Sequence, residues 1–232
     1  MTANRITVAD VGTVEATRLA AQALQQGDVV VVPTDTVYGL AADAFNPGAV
    51  AAVFRAKQSR QELSLPVMVH TPKQLPGIVM TIPEAAERLM AAFWPGPLTI
   101  VFDVQPGLKW DLGVASSNVA VRMPLDEVML GLIRDVGPLA VTSANVSGEP
   151  AATTANDAFA ALADQVSLVV DDGPRGSMTR STIIDVSGRS PRLMREGAIP
   201  AELVLAVVHG RISPLDAAAA FTSGILPQEQ GE

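Results

Sequence analysis

Stretches of β-branched and apolar residues alternate along this chain with stretches that carry helix signals, and this alternation limits the folds open to it. The predicted strands are 29–32, 65–70, 98–104, 119–123, 139–141, 168–170 and 182–186. The predicted helices are 14–26, 47–57, 83–93, 124–134, 154–163 and 200–208, with a last short helix beginning at Ser213. Strands that alternate with helices in this way indicate an α/β fold.

Residues with capping chemistry mark the ends of several predicted helices. Thr13 and Thr154 can accept hydrogen bonds from N–H groups of a first helical turn. Asn46 followed by Pro47 is the typical pairing of an N-cap with the first helical residue. Pro124 is predicted to open the helix that runs to residue 134.

The chain is predicted to form one domain. Its 232 residues, 48% of them apolar, can bury a sizeable core, and the sequence shows no linker long enough to divide that core. We expect an α/β domain over 1–200, followed by a short helical C-terminal extension over 201–232 with a frayed tail.

Composition excludes several functional classes. Cysteine is absent, which rules out a cysteine zinc site and a thiol nucleophile, and two histidines are too few for a multi-histidine site, so we expect no protein metal site. The formal net charge of −8 disfavours tight, nonspecific binding of nucleic acid, because phosphate backbones are bound through Lys and Arg. No charge-free apolar stretch reaches about 18 residues and the N-terminus lacks a signal peptide, so we expect a cytoplasmic protein without a membrane segment.

The segment Pro33–Leu40, with the sequence PTDTVYGL, follows a predicted buried strand. That is the position at which α/β proteins place ligand-binding loops, and the segment carries hydroxyl groups, a carboxylate and a tyrosine. An ordinary turn explains the same residues, with Pro33 setting φ and Gly39 relieving the backbone. The local pattern alone favours the ordinary turn.

Several basic residues are candidates for contact with an anionic ligand. Lys57 and Arg60 could clamp a phosphate, although the dipole of the preceding helix favours cations there without any ligand. His70 ends the next apolar stretch, and a lone histidine is more often structural. Arg122 lies inside the apolar run VAVRMP, where a buried guanidinium needs an anionic partner. That partner is either a carboxylate of the protein or a ligand carboxylate or phosphate.

The segment 139–150 runs from a short apolar strand into a loop of small polar residues, TSANVSGEP. Small side chains allow backbone N–H groups to point at an anion, although such a loop can also be only a loop. Weaker signals are STIIDV, which begins at Ser181, and LMREGAI, which contains Arg195. Neither a P-loop nor a GxGxxG, HExxH or GxSxG motif is present. The residues alone therefore indicate an α/β domain with loops suited to an anionic ligand that carries phosphates.

Taken in chain order, these segments resemble one family. They are PTDTVYGL, the stretch Lys57–Arg60, WPGPLT, VAVRMP, TSANVSGEP, STIIDV and LMREGAI. They resemble the YrdC/TsaC family of L-threonylcarbamoyladenylate synthases, in its single-domain form, over about residues 10–200. The motifs PTDTVYGLAADA and TSANVSGEP are long and uncommon, and their joint order makes the resemblance specific.

The resemblance implies a twisted mixed sheet flanked by helices, with a concave cavity lined by basic residues. It also implies a reaction in which L-threonine, bicarbonate or CO2, and ATP with Mg2+ give threonylcarbamoyl-AMP and pyrophosphate. A carbamate oxygen would attack the α-phosphorus, which needs positioning and charge neutralisation more than a protein nucleophile. The product would pass to separate proteins that modify tRNA, so contact between this chain and tRNA is expected to be at most weak.

The resemblance also assigns site residues. The implied threonine-binding residues are Thr34, His70, Arg122, Thr142 and Ser181, with Arg122 placed against the substrate carboxylate. The implied ATP-binding residues are Lys57, Arg60, Asn118, Ser143, Ala144, Asn145 and Arg195. Lys57 and Arg60 are also the implied catalytic pair.

One segment departs from the family pattern. The family shows Lys-x-Arg, whereas this chain has Lys57-Gln58-Ser59-Arg60, which displaces the arginine by one residue. On a helix, that displacement is a rotation of about 100°. The departure keeps open a second hypothesis, a nucleotide- or RNA-binding module of the same fold without synthase activity. A third hypothesis, a carbamoyl-transfer enzyme, is disfavoured because the related hydrogenase-maturation proteins are much longer and carry Cys-rich zinc modules.

Overall fold

A computed structural model describes residues 3–59, 64–108, 110–113, 117–176 and 179–224 of the chain. Within these residues, ten strands form one sheet. The strands are β1 (Asn4–Thr7), β2 (Val30–Val32), β3 (Gly39–Asp43), β4 (Val67–Met68), β5 (Leu98–Asp103), β6 (Asn118–Arg122), β7 (Leu139–Ser143), β8 (Leu168–Asp171), β9 (Thr182–Asp185) and β10 (Arg192–Arg195). The helices are α1 (Val8–Val11), α2 (Thr13–Gln25), α3 (Pro47–Ala56), α4 (Glu84–Phe93), α5 (Glu127–Val136), α6 (Ala155–Leu162), α7 (Ala201–Val208) and α8 (Pro214–Ser223), with a 3-10 helix at Pro72–Gly77.

The sheet is mixed, with the strand order β1-β8-β2-β3-β7-β4-β6-β5-β9-β10. The β1/β8, β2/β8, β4/β6 and β5/β9 pairs are parallel, and the other pairs are antiparallel. The predicted fold class, a mixed sheet flanked by helices, is therefore confirmed.

Helices cover the two faces of the sheet unequally. One face packs in a large core with residues of α3, α4, α6, α7 and α8. On the other face, α2 and α5 pack over β2, β3, β7 and β8, in a second core that contains no residue of β5, β6 or β9. On that face the middle residues of these three strands, Val101, Ala120 and Ile183, are only partly buried. The part of the sheet formed by these three strands is therefore left uncovered by α2 and α5.

The predicted helix starts at Asn46, Thr154 and Ser213 were confirmed, and those at Thr13 and Pro124 were wrong. The Asn46 side chain accepts hydrogen bonds from the N–H groups of Gly48 and Ala49, and Thr154 caps α6, both as predicted. In contrast, α2 begins at Thr13 itself, with glycine at the N-cap position. The predicted start of α5 at Pro124 is too early, because the carboxylate of the later residue 126 accepts the N–H of residue 129 and caps the helix there.

The predicted strands also needed correction. The strand predicted over 65–70 pairs only at Val67–Met68, and the strand that begins at Leu139 extends to residue 143. Strands β1, β3 and β10 were not predicted. Most residues of β3, which has the sequence GLAAD, have low strand propensity, but the strand lies between β2 and β7 and pairs with both, so tertiary pairing overrides propensity.

The C-terminal helices α7 and α8 pack against α4. Leu203 and Val204 of α7 and Ala217 of α8 belong to the same core as the sheet. The division into a domain and an extension at residue 200 stays a prediction, and the predicted frayed tail at 225–232 lies outside the described residues. No helix in the described ranges is both long enough and apolar enough to cross a membrane.

Candidate active site

A cavity of about 180 Å3 lies beside this uncovered part of the sheet. Its walls come from the loop after β2, from β4 to β7, and from the segments around residues 180 and 195. Six of the residues that the family resemblance implied line it together: Thr34, Arg122, Thr142, Ser143, Ser181 and Arg195. The fold thus brings residues from both ends of the chain to one place.

The loop after β2 is held by the hydroxyl group of Thr34. This hydroxyl donates to the carbonyl oxygen of Val37 at 2.6 Å and accepts the N–H groups of Thr36 at 3.2 Å and Val37 at 3.3 Å. Thr34 is almost fully buried in this turn. It therefore lines the cavity with a hydroxyl group that is already hydrogen-bonded to the loop backbone. Gly39 then allows β3 to approach β7, because a Cβ there would lie 2.8 Å from the Val141 side chain.

Arg122 is buried at the end of β6 and forms three contacts through three different nitrogens. Nη2 lies 2.5 Å from Asp35 Oδ1, Nε donates to the carbonyl oxygen of Gly96 at 3.0 Å, and Nη1 donates to Thr36 Oγ1 at 3.2 Å. Of the two alternatives for the anionic partner of Arg122, a protein carboxylate or a ligand, the structure therefore shows a protein carboxylate, that of Asp35. Each terminal nitrogen keeps one further N–H, and Arg122 lines the cavity.

The Asp35 carboxylate is bonded on one side only. Its Oδ2 atom is buried and has no hydrogen-bond partner among the described residues. Both side chains of the Arg122–Asp35 pair are about one-tenth exposed or less, so neither charge is compensated by water if the other is removed. The pair is therefore interdependent, and Asp35 is a site residue that the sequence analysis missed.

The opposite wall of the cavity is formed by Ser181 and Arg195. The Ser181 hydroxyl lies 2.8 Å from Thr99 Oγ1, and Arg195 donates to the Ser181 carbonyl oxygen at 2.8 Å and 3.1 Å. Burial, and then the positive charges of Arg180 and Arg122, lower the pKa of Arg195. Several guanidinium groups thus lie close enough to one another to repel.

Lys57 lies behind the loop that follows β7. Its ammonium group donates to the carbonyl oxygens of Ser143 at 2.8 Å and Asn145 at 2.9 Å, and to Asn145 Oδ1 at 3.3 Å. Its own carbonyl oxygen accepts the N–H of Ser147 at 2.9 Å. Burial lowers the pKa of Lys57 to about 8. Lys57 is buried and fastens the loop, and it does not line the cavity.

Comparisons with known proteins decide the family. A sequence profile of the Sua5/YciO/YrdC group, described as "Telomere recombination", matches residues 22–197. The chain belongs to this family. A "Putative threonylcarbamoyl-AMP synthase" of Mycobacterium tuberculosis is 42% identical over 202 residues, which are 87% of this chain and 91% of the relative.

Solved structures of the family have the same fold. The crystal structure of Pyrococcus abyssi Sua5 complexed with L-threonine is 36% identical in sequence, with a TM-score of 0.79, over 85% of this chain and 58% of that chain. This chain therefore spans a little over half of the P. abyssi protein. Escherichia coli YciO, at 23% identity and a TM-score of 0.71, shares the fold.

Not every residue implied by the family lies at the cavity. Among the described residues, the lining does not include His70, Asn118, Ala144 or Asn145. The His70 backbone N–H donates to Gln74 Oε1, at the start of the 3-10 helix. Asn118 begins β6 and so lies about 13 Å along the strand from its other end. Arg60 lies outside the described residues.

The cavity lining also contains residues that the sequence analysis did not single out. Thr36 and Thr99 bond to predicted site residues, and Arg180 lies beside Ser181. Tyr38 donates its hydroxyl proton to the carbonyl oxygen of Gly173 at 2.7 Å, and burial raises its pKa. The motif PTDTVYGL pointed to the loop as a whole, but nothing local distinguished these side chains.

Charged groups around the cavity are mostly positive. Arg122, Arg180 and Arg195 line it, and Asp35 pairs with one of them. Whether the cavity is basic overall, as the resemblance implied, stays a prediction. In the described ranges, no group of three or more His, Cys, Asp or Glu side chains is placed to hold a metal ion.

Proposed function

We propose that this protein is a threonylcarbamoyl-AMP synthase that joins L-threonine, bicarbonate or CO2, and ATP, and releases pyrophosphate. The observation that carries the proposal is its 36% identity, over 85% of its length, to the P. abyssi Sua5 whose crystal structure contains L-threonine. The name of the 42% identical M. tuberculosis relative supports the same activity. A binding module without activity has no such support.

On the amino-acid side, Arg122 would receive the substrate carboxylate. Each of its three nitrogens donates one N–H within the protein, to Gly96, Thr36 or Asp35. Each of the two terminal nitrogens can therefore donate one more hydrogen bond. A carboxylate accepts two such bonds from one guanidinium. In this proposal the implied residues Thr34, Thr142 and Ser181 complete the threonine pocket, and the implied role of His70, which does not line the cavity, stays a prediction.

On the nucleotide side, Arg195 and the loop Ser143-Ala144-Asn145 would hold ATP, with Mg2+ arriving on the triphosphate as part of the substrate. Lys57 would act through this loop, because its ammonium group already binds the loop carbonyl oxygens. Asn118 and Arg60, the other implied ATP residues, stay predictions.

The reaction then needs no nucleophile from the protein. The threonine nitrogen bonds to the carbon of CO2 and loses a proton, which gives a carbamate. A carbamate oxygen attacks the α-phosphorus, and the bond to the bridging oxygen breaks as pyrophosphate leaves. Guanidinium groups fixed before the reaction stabilise the negative charge that develops. The product would be consumed by separate tRNA-modifying proteins.

The test is pyrophosphate release from Mg-ATP and bicarbonate, measured with and without L-threonine, with the product identified by mass spectrometry. We expect threonine-dependent release by the wild type, loss of release in Arg122→Ala, and normal release in Arg134→Ala, a control on the exposed side of α5. ATP binding without any threonine-dependent release would favour the binding module. Turnover with carbamoyl phosphate in place of threonine and bicarbonate would indicate the carbamoyl-transfer reaction.

A further inference from the structure

Arg180 differs from the other two arginines of the cavity in how its charge is compensated. Arg122 is paired with Asp35, and Arg195 is bonded to the Ser181 carbonyl oxygen. The guanidinium group of Arg180 has no hydrogen-bond or ion-pair partner among the residues that the structure describes. Its side chain is exposed although it lines the cavity, which places it at the cavity mouth.

The backbone of Arg180 is nevertheless fixed. Its carbonyl oxygen accepts the N–H of Ala198 at 3.0 Å. Gly197 packs directly against it, because a Cβ at Gly197 would lie 2.3 Å from that oxygen. The next residue, Ser181, is buried and bonded to Thr99. A firmly placed backbone with an unpartnered charged side chain is an arrangement suited to a ligand contact.

The size of the cavity indicates which part of a ligand reaches the mouth. Pockets that enclose a whole small-molecule ligand are typically about 300–1,000 Å3. The cavity here measures about 180 Å3, so it encloses an amino acid more readily than a nucleotide. Part of the nucleotide would therefore lie at the mouth, where the triphosphate is the group with the most negative charge.

We propose that Arg180 binds the phosphate chain of the nucleotide substrate at the cavity mouth, beside Arg195. The inference rests on the proposed function for the identity of the nucleotide. A guanidinium fork can donate two hydrogen bonds to one phosphate group. Since Arg122 is engaged with Asp35 and faces the amino-acid carboxylate, Arg180 and Arg195 are the cavity-lining arginines left for the phosphates. The anion also offsets the positive charge that Arg180 and Arg122 place near Arg195.

Steady-state kinetics of Arg180→Ala and Arg180→Lys test the assignment, with Arg192→Ala as the matched control. Arg192 is also exposed, but it lies at the far end of β10 and contacts Asp185. We expect KM for Mg-ATP to rise about tenfold in Arg180→Ala and less in Arg180→Lys, while KM for threonine changes less than about twofold. The increase should shrink at high salt, because salt screens exposed charges. Arg192→Ala should match the wild type.

An unchanged KM for ATP in a folded Arg180→Ala protein overturns the proposal, and so does a rise confined to KM for threonine. Calorimetric binding of α,β-methylene-ATP separates this result from the synthase question, because it needs no turnover. If the wild type releases no pyrophosphate but Arg180→Ala still weakens analogue binding about tenfold, the phosphate contact stands and the proposed function fails. If the wild type is active and analogue binding is equal in both proteins, only the Arg180 proposal fails.

Discussion

Two buried cations support this site, and the structure stabilises them in different ways. Arg122 meets a carboxylate, that of Asp35, in a pair with no net charge. Lys57 meets only neutral oxygens, from the backbone of Ser143 and Asn145 and from the Asn145 side chain. Both cations connect segments that are distant in sequence, so each is part of how the cavity is built.

The difference teaches how each cation responds to change. Removing one member of a buried charge pair leaves its partner uncompensated, and a lone buried charge is strongly unfavourable. An ammonium held by neutral carbonyls can instead release its proton, and burial lowers the Lys57 pKa to about 8. We therefore expect mutation of Arg122 to lower the free energy of unfolding strongly. We expect the contribution of Lys57 to that free energy to change with pH as well as on mutation.

The largest effect is expected from breaking the Arg122–Asp35 pair. Arg122→Ala should lower the free energy of unfolding by about 3–5 kcal/mol, because it leaves the buried Asp35 carboxylate without a partner. Urea denaturation measures the loss, with Arg134→Ala as an exposed control expected to stay within about 0.5 kcal/mol.

A double variant, Arg122→Leu with Asp35→Leu, sharpens the same experiment. Replacing both charges by apolar groups removes the uncompensated carboxylate, so the double variant should be more stable than Arg122→Ala. Equal loss in both proteins would show that packing, and not the orphaned charge, causes the destabilisation.

A smaller loss is expected at Lys57. Lys57→Met keeps the apolar stem but leaves carbonyl oxygens of the 143–145 loop unpaired, at a cost of about 2 kcal/mol. Hydrogen exchange over 144–149 should accelerate because the loop loses its fastening. Lys73→Met, on an exposed surface of the 3-10 helix, should change neither quantity. If Lys57→Met lowered the free energy of unfolding as much as Arg122→Ala does, the proposed difference between the two buried cations would be wrong.

The smallest effect is the pH dependence of stability that is expected from Lys57. The folded-state pKa of Lys57 is about 8, below its ordinary value of 10.5, so between these values the unfolded chain binds the extra proton. The free energy of unfolding therefore rises with pH in this window. Well below pH 8, Lys57 is protonated in both states, so it causes no change of stability with pH there. From pH 7 to pH 9 the wild type should gain about 1 kcal/mol relative to Lys57→Met. A parallel pH profile for the two proteins would place the Lys57 pKa near its ordinary value.

Local sequence patterns predicted the fold class and most of its elements. Asn46 and Thr154 were placed correctly at helix starts because a cap is a hydrogen bond to backbone only two or three residues away. Strand β3 was missed because most of its residues have low strand propensity, and its existence depends on pairing with β2 and β7 on either side. Strand β10 was missed because Arg192–Arg195, with the sequence RLMR, is short and has an arginine at each end, which is not a strand pattern.

For the site, sequence motifs named the segments, and the tertiary structure decided the partners. The order of PTDTVYGL, VAVRMP and TSANVSGEP was enough to suggest the family, and the need of Arg122 for an anion follows from its apolar neighbours. That the anion is Asp35, 87 residues away, follows only from packing. The same is true of Lys57 binding carbonyl oxygens 86 and 88 residues away. The sequence determines which groups need partners, because burial and side-chain chemistry can be predicted from neighbouring residues. The order of strands in the sheet determines which of these groups come into contact.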